Sequence, residues 1–249
     1  MERLGHNIRP NINNKMNSIE RYSRQLTIPE IGETGQKQLK NAKVLIIGAG
    51  GLGSPVAMYL AAAGIGTLGL IDNDTVSISN LNRQILYTER DLGKLKTLVA
   101  KNRIEELNGD IQVNTYTERI TDKNVLEIHN IISQYDIVVD TCDNMATRYI
   151  VSDIAEKLEI PYVYGAIEGF CGYISLFYDK SNYRRFRDLW PEENQQFTHE
   201  IPAIGATAGV IGSLQANLVI KYICGFGERL AGKLLTIDLS TIEFHTLLF

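Results

Sequence analysis

Lys43-Val-Leu-Ile-Ile-Gly-Ala-Gly-Gly-Leu-Gly53 is the stretch that decides the fold of this chain. It starts with a short, mostly apolar run, which predicts a strand buried on both faces of a parallel sheet. Gly48, Gly50 and Gly53 then match the G-x-G-x-x-G spacing that follows such a strand and opens a helix. Backbone amides at the start of that helix can bind a phosphate. A tight turn without a ligand is the alternative, but the strand and the helix around the turn favour a nucleotide site.

The same strand-and-helix alternation continues along the chain. It predicts an α/β fold with a doubly wound, mostly parallel sheet and a Rossmann-like nucleotide-binding core. After Gly169 the pattern changes, which predicts antiparallel additions in the C-terminal part. Strands are predicted at 43–47, 67–71, 111–116, 136–140, 162–166 and 173–178, with two more in 233–249, and helices at 52–63, 94–107, 125–133, 146–158 and 206–224, with one or two more in 20–41.

The chain shows no internal repeat or linker, so we expect one domain over residues 19–249, preceded by a polar, mobile tail at 1–18. Residues 179–204 are polar and charged without a clear period. A loop of that length in a compact domain is usually functional or mobile, and we expect it to order on partner binding.

Composition excludes several classes of function. The net charge is −4, and the sequence contains no basic stripe that would indicate a nucleic-acid-binding surface. Residues 44–71 carry no charge, but their glycine clusters and Pro55 favour strands and a helix over a membrane span. The first residues lack the apolar region of a signal peptide. The three cysteines, Cys142, Cys171 and Cys224, form no C-x-x-C pair, so a cytoplasmic protein with reduced thiols is expected.

Polar residues after the second strand indicate which nucleotide binds. Asp72 ends that strand, where a carboxylate can accept hydrogen bonds from ribose hydroxyls of NAD or of ATP. Arg83 and Lys96 follow, and two cations near a glycine turn would hold a polyphosphate. Asn80 and Gln84 can supply oriented amides. Taken alone, each cation would be interpreted as a solvated surface charge. The evidence that it binds phosphate comes from the pattern of residues around it.

A second acid is expected at the same edge of the sheet. Asp143 follows the strand at 136–140, so it should point into the same crevice as Asp72 and Gly50. A carboxylate facing a polyphosphate favours a Mg²⁺ ion, which takes one or two carboxylates plus phosphate oxygens. The alternative is that Asp143 caps the following helix, although Asn144 can do so instead.

Taken together, these motifs resemble the ThiF/MoeB/HesA family of bacterial activating enzymes, which are related to the ubiquitin-activating enzymes. The resemblance runs in family order from Glu20 over nearly the whole chain. The matching segments are Arg21-Tyr-Ser-Arg-Gln25, Gly48-Ala-Gly-Gly-Leu-Gly53, Asp72-Asn-Asp-Thr-Val, Ser79-Asn-Leu-Asn-Arg-Gln84, Asp140-Thr-Cys-Asp-Asn144 and Gly209-Val-Ile-Gly-Ser-Leu-Gln-Ala216.

The resemblance implies a homodimer that binds Mg-ATP and adenylates the C-terminal carboxylate of a ubiquitin-like sulfur-carrier protein, of thiamine or molybdopterin type, with release of pyrophosphate. A separate donor then supplies sulfur. The implied ligands are the turn glycines, including Gly51, with Asp72 on the ribose and Asp143 on Mg²⁺. The implied catalytic residues are Arg83, Lys96 and Asp143, together with Arg24, which enters the partner subunit's ATP site.

Two departures from the family are visible. Many members hold a structural zinc with two C-x-x-C pairs, which are missing here, so no zinc is expected. Many also carry a cysteine in the loop before the glycine-rich helix, where this chain reads Phe197-Thr-His-Glu-Ile-Pro202. We therefore do not expect a covalent intermediate at that loop.

Three other functions remain as alternatives. The first is an adenylyltransferase that acts on a peptide in natural-product biosynthesis, which the two departures favour. The second is an NAD-dependent oxidoreductase, which would leave Arg24, Arg83 and Asp143 without a role. The third is a binding protein that has lost activity, against which the retained cations and acid argue.

Overall fold

A computed structural model describes residues 20–191 and 201–249. They form one eight-stranded sheet in the order β3-β2-β1-β4-β5-β6-β7-β8. The first five strands in that order pair in parallel and the last three antiparallel, which confirms the predicted fold class. The strands are β1 (Lys43–Ile47), β2 (Thr67–Ile71), β3 (Gln112–Tyr116), β4 (Ile137–Asp140), β5 (Tyr162–Glu168), β6 (Cys171–Phe177), β7 (Lys233–Asp238) and β8 (Glu243–Leu248).

Except for one short helix at Phe186–Leu189, the helices lie close to where the sequence predicts them, and those between parallel strands are the crossovers. Gly64 ends the helix after the glycine turn in the left-handed conformation, with φ +89°, as a C-terminal glycine does. The helices are α1 (Ser23–Leu26), α2 (Gly32–Asn41), α3 (Gly53–Ala63), α4 (Lys96–Leu107), α5 (Val125–Ile132), α6 (Met145–Lys157), α7 (Phe186–Leu189) and α8 (Gly205–Cys224).

Both faces of the sheet are covered, as the apolar β1 run requires. Val44 and Ile46 pack in one core with α2, α3, α4 and α8. Leu45 and Ile47 point the other way, into a core formed with α5, α6 and a group of aromatic side chains. Side chains alternate along a strand, so a run without polar residues is stable only between two such layers.

The register of the central strands creates the functional edge. Ile47 at the end of β1 pairs with Ile71 on one side and with Asp140 on the other. The residues that follow, Gly48 and Asp72 among them, therefore leave the sheet side by side. This is the edge at which open parallel sheets bind ligands.

Two expectations about packing need correction. The spacing of apolar residues in the helix at 94–107 predicts an apolar side of Leu95, Leu98, Val99, Ile104 and Leu107. Val99 and Ile104 are buried as predicted, but Leu98 and Leu107 are exposed. The buried side of α4 also carries Ala100 and the polar residues Lys96 and Thr97. Lys96 is buried because it pairs with Asp74 at the loop after β2.

The described first part of the segment at 179–204, residues 179–191, is also more structured than its composition predicts. Phe186 in α7 is fully buried against the rings of Tyr162, Tyr164 and Phe177. Residues 179–191 thus pack on the second core without a partner. An aromatic anchor in a charged segment gives no periodic signal, which is why the sequence pattern misses it.

The predicted tail at 1–18 lies outside the described residues, as does most of the predicted loop at 197–202. Within the described ranges, no helix is long and apolar enough to cross a membrane. The uncharged run at 44–71 forms β1, α3 and β2.

Candidate functional site

The glycine turn between β1 and α3 is held by close backbone contacts. Gly48 has φ +94°, which favours glycine. A Cβ on Gly53 would lie 2.1 Å from the Gly48 carbonyl oxygen, so helix and strand approach as closely as they do only because this residue is glycine. The Thr141 hydroxyl donates to the Gly48 carbonyl at 2.5 Å and ties the loop after β4 to the turn.

Within the described part of the chain, the backbone N–H groups of Gly50, Gly51 and Leu52 have no hydrogen-bond acceptor. They lie at the start of an 11-residue helix, where the helix dipole favours an anion. The glycine spacing predicts a phosphate-binding element, and these three donors are available to form it.

Asp72 lies beside this turn and organises it. Its Oδ2 accepts a hydrogen bond from Ala49 N at 2.7 Å, and its Oδ1 accepts one from Asp74 N at 2.8 Å. Burial raises the pKa of Asp72, while Lys96 and the two backbone donors oppose that shift. The carboxylate keeps free lone pairs for ribose hydroxyls, because each oxygen can accept more than one hydrogen bond.

Arg83 lies over the turn, as the sequence predicts. Its Cγ is 3.6 Å from where a Cβ of Gly51 would stand. Its Nη1 donates to the Ser79 carbonyl at 2.9 Å and to Asn82 Oδ1 at 3.0 Å. The remaining guanidinium donors have no acceptor among the described residues, so the side chain is fixed and still able to bind phosphate.

Lys96 is not the solvated surface cation that a lysine, taken alone, would be expected to be. Its side chain is 5% exposed, and its Nζ lies 2.8 Å from Asp74 Oδ2. Asp74 is itself exposed, so the pair lies at the mouth of the site rather than in the core. A polyphosphate would compete with Asp74 for the Lys96 ammonium group.

Asn80 and Gln84 have different roles in the structure. Asn80 Oδ1 accepts a hydrogen bond from Ser77 N at 3.1 Å and caps a short helical turn, so its amide is partly used. Gln84 is buried, and its Nε2 lies 3.6 Å from where a Cβ of Gly50 would stand. Its Oε1 is buried and has no hydrogen-bond partner among the residues that the structure describes. An orphaned acceptor beside the phosphate amides is what a ligand donor would satisfy.

Asp143 is exposed, and its one hydrogen bond among the described residues comes from Asn144 Nδ2 at 3.3 Å. Asn144 Oδ1 accepts from Thr147 N at 2.9 Å and caps α6. The capping role therefore belongs to Asn144, which leaves the Asp143 carboxylate available to a cation.

No group of three or more His, Cys, Asp or Glu side chains within 20–191 and 201–249 could hold a metal ion. This does not decide the Mg²⁺ question, because Mg²⁺ at a nucleotide takes one or two carboxylates and completes its shell with phosphate oxygens and water. The Asp143 carboxylate fits such a shell. The expected absence of zinc stays a prediction that metal analysis can test.

Arg24 is not brought to the turn of its own chain. Its segment is anchored at the opposite end of α3, where Gln25 Nε2 donates to the Ala63 carbonyl at 2.9 Å and Asn108 Nδ2 donates to the Tyr22 hydroxyl at 2.8 Å. An 11-residue helix is about 16 Å long, which is more than an Arg side chain can reach. Arg24 is exposed and projects from the surface.

Two residues of the site carry no signal in the sequence pattern. Tyr87 is buried, and its hydroxyl donates to the Ala49 carbonyl at 2.7 Å. Ala208 in α8 lies 3.4 Å from where a Cβ of Gly51 would stand, so α8 begins beside the turn. Neither is charged or part of a spacing motif, and only the folded chain brings them to the site.

Comparisons with known proteins agree with this geometry. Residues 22–248 match the model of the ThiF family. A sulfur carrier protein adenylyltransferase of Thermus thermophilus is 41% identical over 92% of this chain and 86% of its own length. An adenylyltransferase and sulfurtransferase MOCS3 of Dictyostelium discoideum is 46% identical over 93% of this chain, which spans 55% of that longer protein.

Solved structures give the same fold. The Microcin C7 biosynthetic enzyme MccB, in complex with N-formylated MccA, superposes with a TM-score of 0.83 at 27% identity over 96% of this chain and 74% of its own. A structure of E. coli MccB with ATP superposes with a TM-score of 0.80 at 26% identity over 97% of this chain and 79% of its own.

Proposed function

Because this chain belongs to the ThiF family, we propose that it is an adenylyltransferase that activates the C-terminal carboxylate of a ubiquitin-like sulfur-carrier protein. The observation that carries the proposal is the phosphate-binding element at Gly50, Gly51 and Leu52, with Asp72 on one side and Arg83 above it. One relative at 41% identity is named a sulfur carrier protein adenylyltransferase, and one at 42% a probable molybdopterin-synthase adenylyltransferase.

In the proposed reaction, an oxygen of the carrier's terminal carboxylate attacks the α-phosphorus of ATP. A carboxyl O–P bond forms, and the bond to the β-phosphate oxygen breaks, so that pyrophosphate leaves with the electron pair. The products are an acyl-adenylate and pyrophosphate. No side chain needs to form a covalent bond, so the site acts through positioning and charge.

Each polar group of the site then has a role. The amides of the glycine turn bind a phosphate, and Asp72 accepts hydrogen bonds from the ribose. Arg83 and Lys96 neutralise phosphate charge, and the Lys96 ammonium group leaves Asp74 to do so. Asp143 is the carboxylate placed to hold Mg²⁺, which when bound would screen the phosphate oxygens from the incoming carboxylate.

Arg24 is proposed to act on the ATP of a second copy of the chain. This is supported by the anchoring of its segment at the far end of α3, from where it cannot reach its own turn. It predicts a homodimer in which each site is completed by the Arg24 guanidinium of the other subunit.

Sulfur transfer is proposed to need a separate donor. The full chain has three cysteines. Cys142 is buried, and burial raises the pKa of its thiol well above the usual range, so it is a poor nucleophile. Cys171 starts β6, and Cys224 ends α8 next to Gly35, so neither stands at the glycine turn.

The second candidate is adenylation of a peptide, which the similarity to MccB favours. It ranks second because that similarity is 27%, against 41% for the sulfur carrier protein adenylyltransferase. An NAD-dependent oxidoreductase would leave Arg24, Arg83 and Asp143 without a role, and these retained cations and the acid also argue against a binding protein without activity.

The deciding experiment is ATP–pyrophosphate exchange with Mg²⁺, using a panel of ubiquitin-like proteins ending in Gly-Gly and peptides ending in Gly-Gly or Asn. Exchange that depends on a ubiquitin-like protein supports the first proposal, and exchange that depends on a peptide supports the second. A carrier with its terminal glycine amidated serves as the control, because it lacks the attacking oxygen. ATP binding without exchange against any acceptor would contradict both.

A further inference from the structure

The peptide groups on both sides of Ala49 are fixed by side chains from two different segments. Asp72 accepts the Ala49 N–H at 2.7 Å, and the Tyr87 hydroxyl donates to the Ala49 carbonyl at 2.7 Å. Asp72 follows β2, whereas Tyr87 lies beyond Arg83 and Gln84 in the crossover to α4. Ala49 is therefore held between Asp72 and the segment that carries Arg83, and these two hydrogen bonds are called the clamp below.

The clamp fixes the direction of one phosphate-binding donor. In a planar trans peptide, the C=O of one residue and the N–H of the next point in opposite directions. Because Tyr87 holds the Ala49 carbonyl on its own side, the Gly50 N–H points away from Tyr87. That N–H is one of the turn donors without an acceptor in the described part of the chain.

The contact is well placed to resist rotation of this peptide. Tyr87 is 5% exposed, and Leu86 beside it belongs to the first core. The backbone N–H of Tyr87 donates to the Gln84 carbonyl at 3.2 Å, which links the ring to the turn that carries Gln84 and Arg83. Without the hydroxyl, the Ala49 carbonyl would lose a buried partner, and glycine at the next position offers little resistance to a flip of the peptide.

We infer that Tyr87 is a positioning residue for ATP, whose hydroxyl keeps the Gly50 amide directed at a phosphate. This inference rests on the proposed function and adds to it a residue that contacts no substrate atom itself. It makes a specific demand: Tyr87 should matter for the phosphates of the nucleotide and not for its nucleoside part.

The test is Tyr87→Phe, which removes one oxygen and keeps the ring. Affinities for ATP and for adenosine are measured by calorimetry, together with the KM and kcat for ATP in the exchange assay. We expect the Kd and the KM for ATP to rise about 5- to 10-fold, or about 1.0–1.4 kcal/mol, with the Kd for adenosine unchanged. Adenosine binding also reports that the variant is folded.

Tyr135→Phe is the matched control. Its ring is buried, and its hydroxyl contacts Tyr116 at 3.0 Å and Asn114 at 3.2 Å, on the β3 side of the sheet and away from the turn. It should lower stability without changing the affinity for ATP.

The outcomes distinguish a failure of the inference about Tyr87 from a failure of the proposed function. The inference alone is overturned if the wild-type chain binds ATP and exchanges pyrophosphate and the Tyr87→Phe variant binds ATP equally well. Equal weakening of ATP and adenosine also overturns it, because Tyr87 would then support the fold of the pocket as a whole. Failure of the wild-type chain to bind ATP overturns the proposed function itself.

Discussion

Arg148 and Asp140 form a buried ion pair beneath the candidate site, with Arg148 Nη1 lying 3.1 Å from Asp140 Oδ2. The same two side chains also form hydrogen bonds with the backbone N–H and the backbone carbonyl of Cys142. Asp140 Oδ1 accepts the Cys142 N–H at 2.9 Å, and Arg148 Nη2 donates to the Cys142 carbonyl. Asp143 is the next residue, so its place at the edge of the sheet depends on this pair.

Removing one member of the pair should destabilise the fold strongly. Arg148→Met leaves the Asp140 carboxylate buried without its counter-ion, which costs about 3–5 kcal/mol. Urea unfolding measures this loss, and Asp140→Asn should give a similar one. The double variant should lose less than the sum of the two single variants, because no charge is then left unpaired.

Arg185→Met provides the matched comparison for that result. Arg185 pairs with Asp188 at 2.7 Å, but both side chains are largely exposed. Solvent screens such an exposed pair, so its loss should change the free energy of unfolding far less than loss of the buried pair. Equal losses at Arg148 and Arg185 would show that the buried pair does not support the loop as argued.

Arg83→Ala and Asp143→Ala should each reduce ATP–pyrophosphate exchange about 100-fold or more, as expected for removal of a group that stabilises charge at the reacting phosphate. Both side chains are at the surface of the site, so the unfolding midpoint should stay within about 0.5 kcal/mol of the wild type. Arg90→Ala and Asp122→Ala, at exposed positions outside the site, are the controls and should exchange normally. Exchange that persists in the Arg83 and Asp143 variants would place the site elsewhere.

Mixing two inactive variants tests whether Arg24 acts between subunits. In a mixed dimer of Arg24→Ala with Asp143→Ala subunits, one of the two sites has both residues intact. Random exchange of subunits should therefore restore about a quarter of wild-type activity in a closed two-fold dimer. Each variant mixed with itself is the control. An absence of rescue, with subunit exchange verified by labelled chains, would mean that Arg24 does not act across the dimer.

Asp91 gives a pH dependence with a definite sign. Hydrogen bonds from Thr88, with help from Lys94, lower the pKa of Asp91 to about 2. Because the pKa of Asp91 in the folded state lies below the ordinary aspartate value of 3.8, the ionised carboxylate stabilises the fold above about pH 4. That contribution disappears as the pH falls to about 2.

Asp91→Asn should therefore lower Tm at pH 7 by about 4–8 °C, from a loss of about 2 kcal/mol. The difference from the wild type should shrink as the pH is lowered from about 4 to about 2, as followed by thermal unfolding. Asp110→Asn, at an exposed loop position, should show no such pH-dependent difference. A constant difference at all pH values would contradict the assignment.

The cysteines should be dispensable for adenylation. Cys171→Ser and Cys224→Ser should retain full exchange, and Cys142→Ala should retain it with a modest loss of stability because a buried small residue is truncated. Intact-mass analysis after incubation with ATP and carrier should show no carrier adduct on the wild-type chain. An adduct that is released by a thiol reductant would contradict this prediction and would assign a covalent step to one of the three cysteines.

The sequence pattern predicted the sheet and most of the site because both depend on short-range chemistry. The run at Lys43–Ile47, the glycine spacing after it and Asp72 at the next strand end are each set by contacts within a few residues or by a strand-end position. Arg83 was predicted from the pattern of cations after the second strand, and the structure places it beside Gly51. Asp143 was predicted from its position after a strand end, and its role at the site stays a prediction.

The pattern was wrong or silent where long-range packing decides. Leu98 looks like a core residue but is exposed, whereas the polar residues Lys96 and Thr97 of α4 are buried. Phe186 anchors a charged segment that looks unstructured. The sequence suggests a solvated Lys96, but its side chain is buried and paired with Asp74. A bound phosphate would have to compete with Asp74 for the Lys96 ammonium group.

By itself, then, the sequence determined the doubly wound core, the phosphate turn and the family of this protein, since these follow from residue type and spacing along one chain. Only the tertiary structure decided which side chains hold the turn in place. The Tyr87 hydroxyl reaches Ala49 across 38 residues, and Arg148 steadies the loop of Asp143 from inside α6. Such contacts join segments that are distant in the chain, and their hydrogen-bond geometry exists only after the sheet and its helices have packed.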